Sequence, residues 1–173
     1  MFPATFDAAA EEVVCVDEGH VQLSDLVRRS LVLYDETTKR DLGNLGIAYE
    51  NLGEVHRGIQ FYEQALVIHR EQGDRRGEFS NLCNLGIAYA TLGETRRAIE
   101  FHAQALLIGR ELGDHRAEGN ALWNMSLALD QLGERTQAIL HAEQALIIRE
   151  QIADPNAAKV RTQLAAWRKQ INR

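Results

Sequence analysis

The chain has 173 residues, of which 45% are hydrophobic and 25% are charged, and it contains only two prolines. This composition is typical of an ordered, mostly helical protein that is long enough to bury a core. The formal net charge of −6 excludes a protein that binds nucleic acid through a basic surface, because such binding requires positive charge to neutralise phosphates.

Residues 1–40 form a first segment that does not repeat. Within it, residues 7–14 and 21–33 have the composition of short helices, and residues 34–40 form a polar connector. The start of the chain lacks the basic region and the long apolar run of a secretion signal. No later stretch approaches 18 uninterrupted apolar residues, so we expect no membrane span and no membrane partner.

From Asn44 the sequence repeats with a 40-residue period. Residues 44–83 and 84–123 are identical at 23 of 40 positions without a gap. A looser third copy, residues 124–154, keeps a Leu-Gly-Glu turn, an Ala-Ile pair and a Gln-Ala-Leu triplet. A fixed period of this length is the signature of stacked units that cannot bury their apolar faces alone.

Each copy predicts two helices. Gly73-Asp74 and Gly113-Asp114 lie where one helix ends and the next begins, because glycine suits the left-handed residue after a helix and aspartate suits the N-cap. The Leu-Gly-Glu sequence marks the turn inside each copy. In the second copy, the first helix is predicted over residues 75–91 and the second over residues 95–112. The apolar spacing of the first helix turns one side inward, with Leu82, Leu85, Gly86 and Tyr89.

Small residues recur where the two helices of each copy are expected to cross. A larger side chain at these positions would push the helix axes apart. The recurring residues are Gly46, Gly86 and Ser126 in the first helices and Ala65, Ala105 and Ala145 in the second helices.

Residues 154–173 are predicted to form a terminal helix that caps the stack. Asp154-Pro155 combines an N-cap aspartate with a proline at the first helical position, where the missing N–H costs nothing. A terminal helix needs a polar outer face, and polar residues replace apolar or small ones at Lys159, Arg161, Thr162 and Lys169. Trp167 either covers the last apolar gap or faces the groove, and we favour the first.

The repeated Asn-Leu-Gly-x-x-Tyr, Leu-Gly-Glu, Ala-Ile and Gln-Ala-Leu sequences resemble the tetratricopeptide repeat (TPR). The repeat length and the Gly-Asp linker are most similar to the 40-residue variant in spindle-orientation adaptors, and similar repeats occur in kinesin light chains and in bacterial signalling proteins. The resemblance covers residues 41–154. It implies an all-α fold, a right-handed α-α superhelix (TPR solenoid), that binds other proteins as an adaptor or scaffold.

Three parts follow from the repeats and this resemblance. Residues 41–153 hold three TPR units, each a helical hairpin, and residues 154–173 form the C-terminal cap. Residues 1–40 form an N-terminal helical segment, in which residues 21–33 are predicted to serve as a capping helix. They also resemble part of the winged-helix segment of bacterial STAND-type ATPases, in which a TPR array often follows, although no phosphate-binding loop occurs in this chain.

The first helices of stacked hairpins line the concave side of a solenoid. An asparagine recurs there at Asn44, Asn84 and Asn124, although asparagine is a poor helix former. Its amide offers a donor and an acceptor to an extended peptide main chain, and the resemblance implies such a clamp. The candidate peptide-binding residues are Arg40, Asn44, Glu50, Asn51, Ser80, Asn84, Thr91, Asn120, Trp123, Asn124, Asp130 and Gln131.

Other roles for these residues stay open. The asparagines could hydrogen-bond between helices within the scaffold, and Trp123 could be a buried packing residue instead of an aromatic anchor. Glu50 and Asp130 hint at basic ligand side chains. Three aliphatic residues on the same face are expected to pack between adjacent helices: Ile47, Ile87 and Leu127.

No arrangement typical of catalysis or cofactor binding is found in the sequence. The six histidines form no His-Glu-x-x-His set, and Cys15 and Cys83 show no pairing or metal spacing. We therefore expect no enzyme, no metal and no cofactor, and a cytoplasmic protein with reduced thiols. The alternatives to a peptide-binding scaffold are a regulatory arm of a STAND-type ATPase system and a module that forms homo-oligomers.

Overall fold

The computed structural model describes residues 40–171, without the side chains of Arg40, Asp41 and Ile171. The described residues form seven α-helices: α1 (Arg40–Asn51), α2 (Val55–Glu71), α3 (Arg75–Thr91), α4 (Thr95–Glu111), α5 (His115–Gln131), α6 (Arg135–Gln151) and α7 (Ala157–Ile171). The helices predicted over residues 7–14 and 21–33 lie outside the described residues.

The helices pair into three antiparallel hairpins, α1–α2, α3–α4 and α5–α6, and α7 packs on α6. Each helix also contacts the hairpin that follows it, and the first helices α1, α3 and α5 contact one another in sequence. Among the described helices, the second helices α2, α4 and α6 are not in comparable contact with one another. The first helices therefore lie on the tighter, inner side of the stack, as predicted.

The predicted helix boundaries are confirmed at the first two linkers between hairpins. The side chain of Asp74 accepts a hydrogen bond from the Gly77 amide at 3.0 Å, and Asp114 accepts one from the Ala117 amide at 3.0 Å. Gly113 has a positive φ of 63°, the left-handed conformation that ends a helix at little steric cost for glycine. These capping bonds satisfy donors that each new helix leaves unpaired.

The third linker differs from the prediction. Asp154 does accept a hydrogen bond, from the Asn156 amide at 2.9 Å, but α7 begins at Ala157 and not at Pro155. The Ala157 amide donates to the Asp154 carbonyl at 3.0 Å, so Pro155 and Asn156 lie in a tight turn before the helix. Ala153, with φ of 52°, stands where the earlier linkers have glycine.

The helix crossings are as close as the small residues predict. A Cβ atom added to Gly46 would lie less than 3.0 Å from ring atoms of Tyr62, and one added to Gly86 would lie as close to the imidazole of His102. In the third hairpin the corresponding residues are Ser126 and Ala142, both fully buried. The third hairpin thus has a larger residue on its first helix and a smaller one on its second helix. The total volume packed at this crossing therefore stays similar in the three hairpins.

The apolar core runs along the stack and ends at an aromatic pair. Trp167 of α7 is buried, and its ring stacks on that of Trp123 in α5 with centroids 6.3 Å apart. This confirms that Trp167 covers the last apolar gap. The predicted polar residues of α7, which lie on its outer side, are exposed: Lys159, Arg161, Thr162 and Lys169.

Ion pairs join successive units at equivalent places. Arg70 of α2 pairs with Glu78 of α3 at 2.8 Å, and Arg110 of α4 pairs with Glu118 of α5 at 2.8 Å. At the last junction the polarity is reversed, because Glu150 stands in the place of Arg70 and Arg110 and pairs with Arg161 of α7 at 2.5 Å, although Arg161 does not stand in the place of Glu118. The ion pair between the third unit and α7 therefore has its acidic residue on the earlier helix and its basic residue on the later one, the reverse of the two preceding junctions.

His102 makes the stability of this core dependent on pH. Burial of its imidazole lowers the pKa of His102 to about 4, below the ordinary value of 6.5. Between these two values the unfolded chain binds more protons than the folded chain, so stability is present above pH 6.5 and is lost as the pH falls towards 4. We expect the free energy of unfolding to drop by about 2 kcal/mol from this residue between pH 7 and 4.5. Urea denaturation at both pH values measures the drop.

A double variant provides the control for His102. Ala90→Glu with His102→Tyr copies the first hairpin, in which the Tyr62 hydroxyl donates to Oε2 of Glu50 at 2.9 Å. It removes the buried imidazole and gives the new hydroxyl an acceptor. An equal loss of stability in the native chain and the double variant would contradict the role assigned to His102.

Trp167→Ala should loosen the end of the stack. Loss of this buried ring is expected to cost about 3–5 kcal/mol and to expose Trp123 to water. Because the chain contains two tryptophans, the variant leaves Trp123 as its single indole reporter. We expect its emission to shift to longer wavelength before the main urea transition, whereas Trp167→Phe should retain most of the burial. Unchanged emission from Trp123 in the alanine variant would contradict the stacked arrangement.

Candidate functional site

The inner face is the exposed side of α1, α3 and α5. Its residues follow a helical spacing of three or four along each helix and recur with the 40-residue period from one first helix to the next. They are Asn44, Ile47 and Asn51 on α1, Ser80, Asn84, Ile87 and Thr91 on α3, and Asn120, Asn124, Leu127 and Gln131 on α5. Three equivalent helices therefore present the same surface side by side.

An aliphatic row crosses this face. Ile47, Ile87 and Leu127 are 44%, 42% and 37% exposed. The prediction that they pack between adjacent helices is therefore wrong. One residue further on, each first helix instead buries a small alanine: Ala48, Ala88 and Ala128. Because successive residues of a helix point about 100° apart, burial of the alanines leaves the larger side chains on the open surface.

The asparagine row lies beside the aliphatic row. Asn44 is exposed, and Asn84 and Asn124 are half-buried. Within the described part of the chain, the side chains of Asn84 and Asn124 form no hydrogen bond, so their amides are not committed to another helix there. The contrast with Asn81 is clear, because that buried amide donates to the Gly77 carbonyl of its own helix at 2.9 Å.

Four further predicted residues lie on the exposed part of the face: Asn51, Ser80, Thr91 and Gln131. The Thr91 hydroxyl donates to the Ile87 carbonyl at 3.0 Å, which leaves its oxygen lone pairs open to a donor. The side chain of Arg40 lies outside the described part of the chain. The inner face consequently combines amides, hydroxyls and aliphatic groups.

The two acidic residues predicted on this face have internal partners. Glu50 accepts a hydrogen bond from the Tyr62 hydroxyl at 2.9 Å, and Asp130 forms an ion pair with Arg135 at the start of α6. Burial is the main cause that raises the pKa of the Tyr62 hydroxyl, and the hydrogen bond to Glu50 raises it further. The hydroxyl therefore stays protonated and acts as a donor. Both carboxylates are thus engaged in joining the two helices of a hairpin, and the described residues that define the inner face carry no charge.

Two other predicted residues belong to the junction with α7. Nη2 of Arg149 donates to Oδ1 of Asn120 at 2.8 Å, and Nη1 of Arg149 pairs with Asp154 at 2.6 Å. Trp123 is buried against Trp167. Burial opposes the role of aromatic anchor for Trp123 and agrees with the packing alternative. Asn120 and Trp123 are therefore engaged in packing at the C-terminal end of the inner face.

Cys83 of α3 is partly buried against the apolar core. Burial raises the pKa of its thiol to about 12, so the thiolate that would react or bind a metal is not formed near neutral pH. Among residues 40–171, no three His, Cys, Asp or Glu side chains are grouped as a metal site would require. Over the same residues, the helices are too short or too polar to cross a bilayer.

The sequence analysis did not identify a second aliphatic row, on the outer side of the stack. Val67, Leu107 and Ile147, one on each second helix, are all more than half exposed. Their 40-residue spacing was the available signal. Since the second helices also carry a buried stripe, an amphipathic pattern alone could not assign this row to the surface.

Comparison with known proteins identifies the repeat. Residues 41–108 match the family model of the tetratricopeptide repeat. A comparison with curated proteins gives no significant match.

Solved structures show the same fold. BtubC (BKLC) from P. vanneervenii is similar with a TM-score of 0.76 and 19% identity, over 90% of this chain and 67% of that one. The apo form of RapI gives a TM-score of 0.73 and 18% identity, over 95% of this chain and 55% of RapI, so the chain spans just over half of that protein. A P. anserina kinesin-light-chain structure with nearly identical TPR-like repeats gives a TM-score of 0.60 and 16% identity, over 89% of this chain and 86% of that one.

The described helices, their 40-residue period and the family match agree with one another. The structural likenesses, each at 19% identity or less, establish the fold and not the activity. Residues 41–108 therefore carry tetratricopeptide repeats, and the described part of the chain is an all-α solenoid of helical hairpins.

Proposed function

We propose that this TPR protein is an interaction scaffold that binds an extended segment of a partner protein along its inner face. The asparagine row would pair with the main chain of the segment, and the aliphatic row would contact its apolar side chains. The proposal depends above all on one observation, the exposure of Ile47, Ile87 and Leu127 beside asparagines in the same register. A TPR fold in general supports protein interaction.

The spacing of the rows suits an extended chain. Neighbouring packed helices lie about 8–10 Å apart, and an extended peptide advances about 3.3 Å per residue. Successive asparagines would therefore meet the segment at about every third residue. An amide both donates and accepts hydrogen bonds, so it can pair with a peptide group whatever side chain that residue carries.

The uncharged residues of the inner face suggest how a partner would be selected. Because Glu50 and Asp130 are held by Tyr62 and Arg135, the residues that define the inner face offer hydrogen bonds and apolar contact without charge. Binding that does not depend on exposed ion pairs is only weakly screened by salt. We infer that the partner segment is recognised by its extended main chain and its spaced aliphatic side chains, and not by a run of charge.

A library of phage-displayed peptides of about twelve residues, long enough to cross the three first helices at about 3.3 Å per residue, would test this function. Peptides selected on the native chain should bind at least about tenfold more weakly to the Asn44/Asn84/Asn124→Ala variant, because each lost hydrogen bond is worth about 0.5–1.5 kcal/mol. Fluorescence anisotropy of synthetic peptides at low and high salt would measure both the loss and the expected weak salt dependence.

A matched control uses three exposed glutamines on the second helices, Gln64, Gln104 and Gln144, which share the 40-residue period. Replacing them with alanine removes the same number of amides from the outer side and should leave peptide binding unchanged. Circular dichroism must show that both triple variants melt like the native chain. Equal binding by the native chain and the asparagine variant would refute the proposed function.

The two other functions considered from the sequence stay predictions. The regulatory-arm hypothesis depends on residues 1–40, of which only Arg40 is described. Homo-oligomer formation would be detected by light scattering as a mass near a multiple of 19.4 kDa. A cytoplasmic location for the scaffold is likewise a prediction.

A further inference from the structure

The terminal helix α7 does not follow the 40-residue period of the three units. With that period, Leu164 would correspond to Asn124 and Trp167 to Leu127, both on the inner face. Instead, Leu164 and Trp167 are 2% and 1% exposed. A shift of one residue, to a period of 39, makes Leu164 equivalent to the half-buried Met125 and, one period earlier, to the buried Leu85. The same shift makes Trp167 equivalent to the buried Ala128, so the shifted register agrees better with the burial of both residues.

Contacts with the preceding helix show the same shift. The Tyr89 hydroxyl of α3 donates to Oε1 of Glu63 in α2 at 3.4 Å. Glu143 of α6 lies two full periods after Glu63, and its partner in α7 is Arg168, at 2.5 Å. Arg168 lies one residue short of two periods after Tyr89. Burial and side-chain pairing therefore agree on the register of α7.

The start of α7 provides a physical cause. The Ala157 amide donates to the Asp154 carbonyl at 3.0 Å, and the Lys159 amide donates to the Asn156 carbonyl at 3.1 Å. These bonds span three residues, as in a 3₁₀ turn, which rotates about 120° per residue instead of about 100°. Three residues wound in this way gain about 60°. This is more than half of the roughly 100° that a shift of one residue requires, and it acts in the observed direction, so each face of α7 is reached earlier in the sequence.

This register gives α7 an inner face of its own. Gln163, which is half-buried, takes the place of Asn124, and the exposed Ala166 takes the place of Leu127. Gln170 takes the place of Gln131, and its side chain is bonded to Arg135 at the edge of the third unit. We propose that Gln163 is the fourth amide of the row and that the partner segment continues onto α7. This inference rests on the proposed function of the inner face.

The length of the bound segment follows from the fourth amide. Three amides span two helix intervals, or about 16–20 Å, whereas four span three intervals, or about 24–30 Å. At about 3.3 Å per residue, the site is extended by about three residues of the partner. Because Ala166 offers no large aliphatic group, these residues are bound through their main chain and are free to vary in side chain.

Synthetic peptides from the phage selection test the fourth amide. Gln163→Ala should weaken a peptide of about twelve residues by roughly two- to tenfold, the value of one hydrogen bond. The same variant should not change the affinity of peptides from which about three residues have been removed at the end next to α7. Thr162→Ala, at the preceding exposed residue, and Gln144→Ala, on the outer side, are the matched controls and should bind like the native chain.

The outcomes separate this inference from the proposed function. If Asn84→Ala weakens the long peptides and Gln163→Ala does not, the fourth amide is refuted and the three-unit site stands. If neither variant weakens them, the proposed function fails and the inference fails with it.

A photo-crosslinking measurement checks the register independently of affinity. A benzoylphenylalanine in place of Ala166 should crosslink to the long peptide, while the same group in place of Ala165, also exposed and one residue earlier, should not. Crosslinking from Ala165 alone would overturn the register assigned to α7.

Discussion

Every hairpin of this protein depends on the next one to cover its apolar side, and the close crossing of helices makes that cover complete. A hairpin alone would leave residues such as Leu82 and Leu85 in water, whereas in the stack both are fully buried. Burial of a leucine side chain contributes about 1.5–3 kcal/mol, so the stack is held mainly by contacts between neighbours. The positions of all other features, including the inner face, follow from this spacing of the units.

The same close packing decides which side chains are left for binding. Alanines at 48, 88 and 128 are buried, and the isoleucines or leucine one residue earlier are exposed. The polar groups that could compete with a ligand are joined to the scaffold, as with Glu50 and Tyr62. A regular arrangement of exposed amides and aliphatic groups therefore arises from the requirements of packing.

Much of this arrangement could be predicted from the sequence, because it depends on local rules. The Gly-Asp linkers define the helix boundaries to within one residue at α3 and α4, since capping is set by residues adjacent in sequence. The exposure of Ile87 could not be predicted, because it depends on how closely a neighbouring helix approaches. The register of α7 was also missed. Asp154-Pro155 indicates a helix start, but the tight turn that follows is set by the Asn156 amide and by the Ala157 amide bonding back to Asp154.

The exchanged ion pair at the end of the stack has a consequence for how such a chain can grow. Arg70 and Arg110 each face a glutamate on the following unit, so a duplicated copy of the second unit inserted between them would find the matching charge on both sides. After the third unit the order is Glu150 with Arg161, and another such unit would there bring two glutamates together. Like charges in contact disfavour that junction. A duplicated second unit therefore fits the charges between the existing units and does not fit the charge that follows α6.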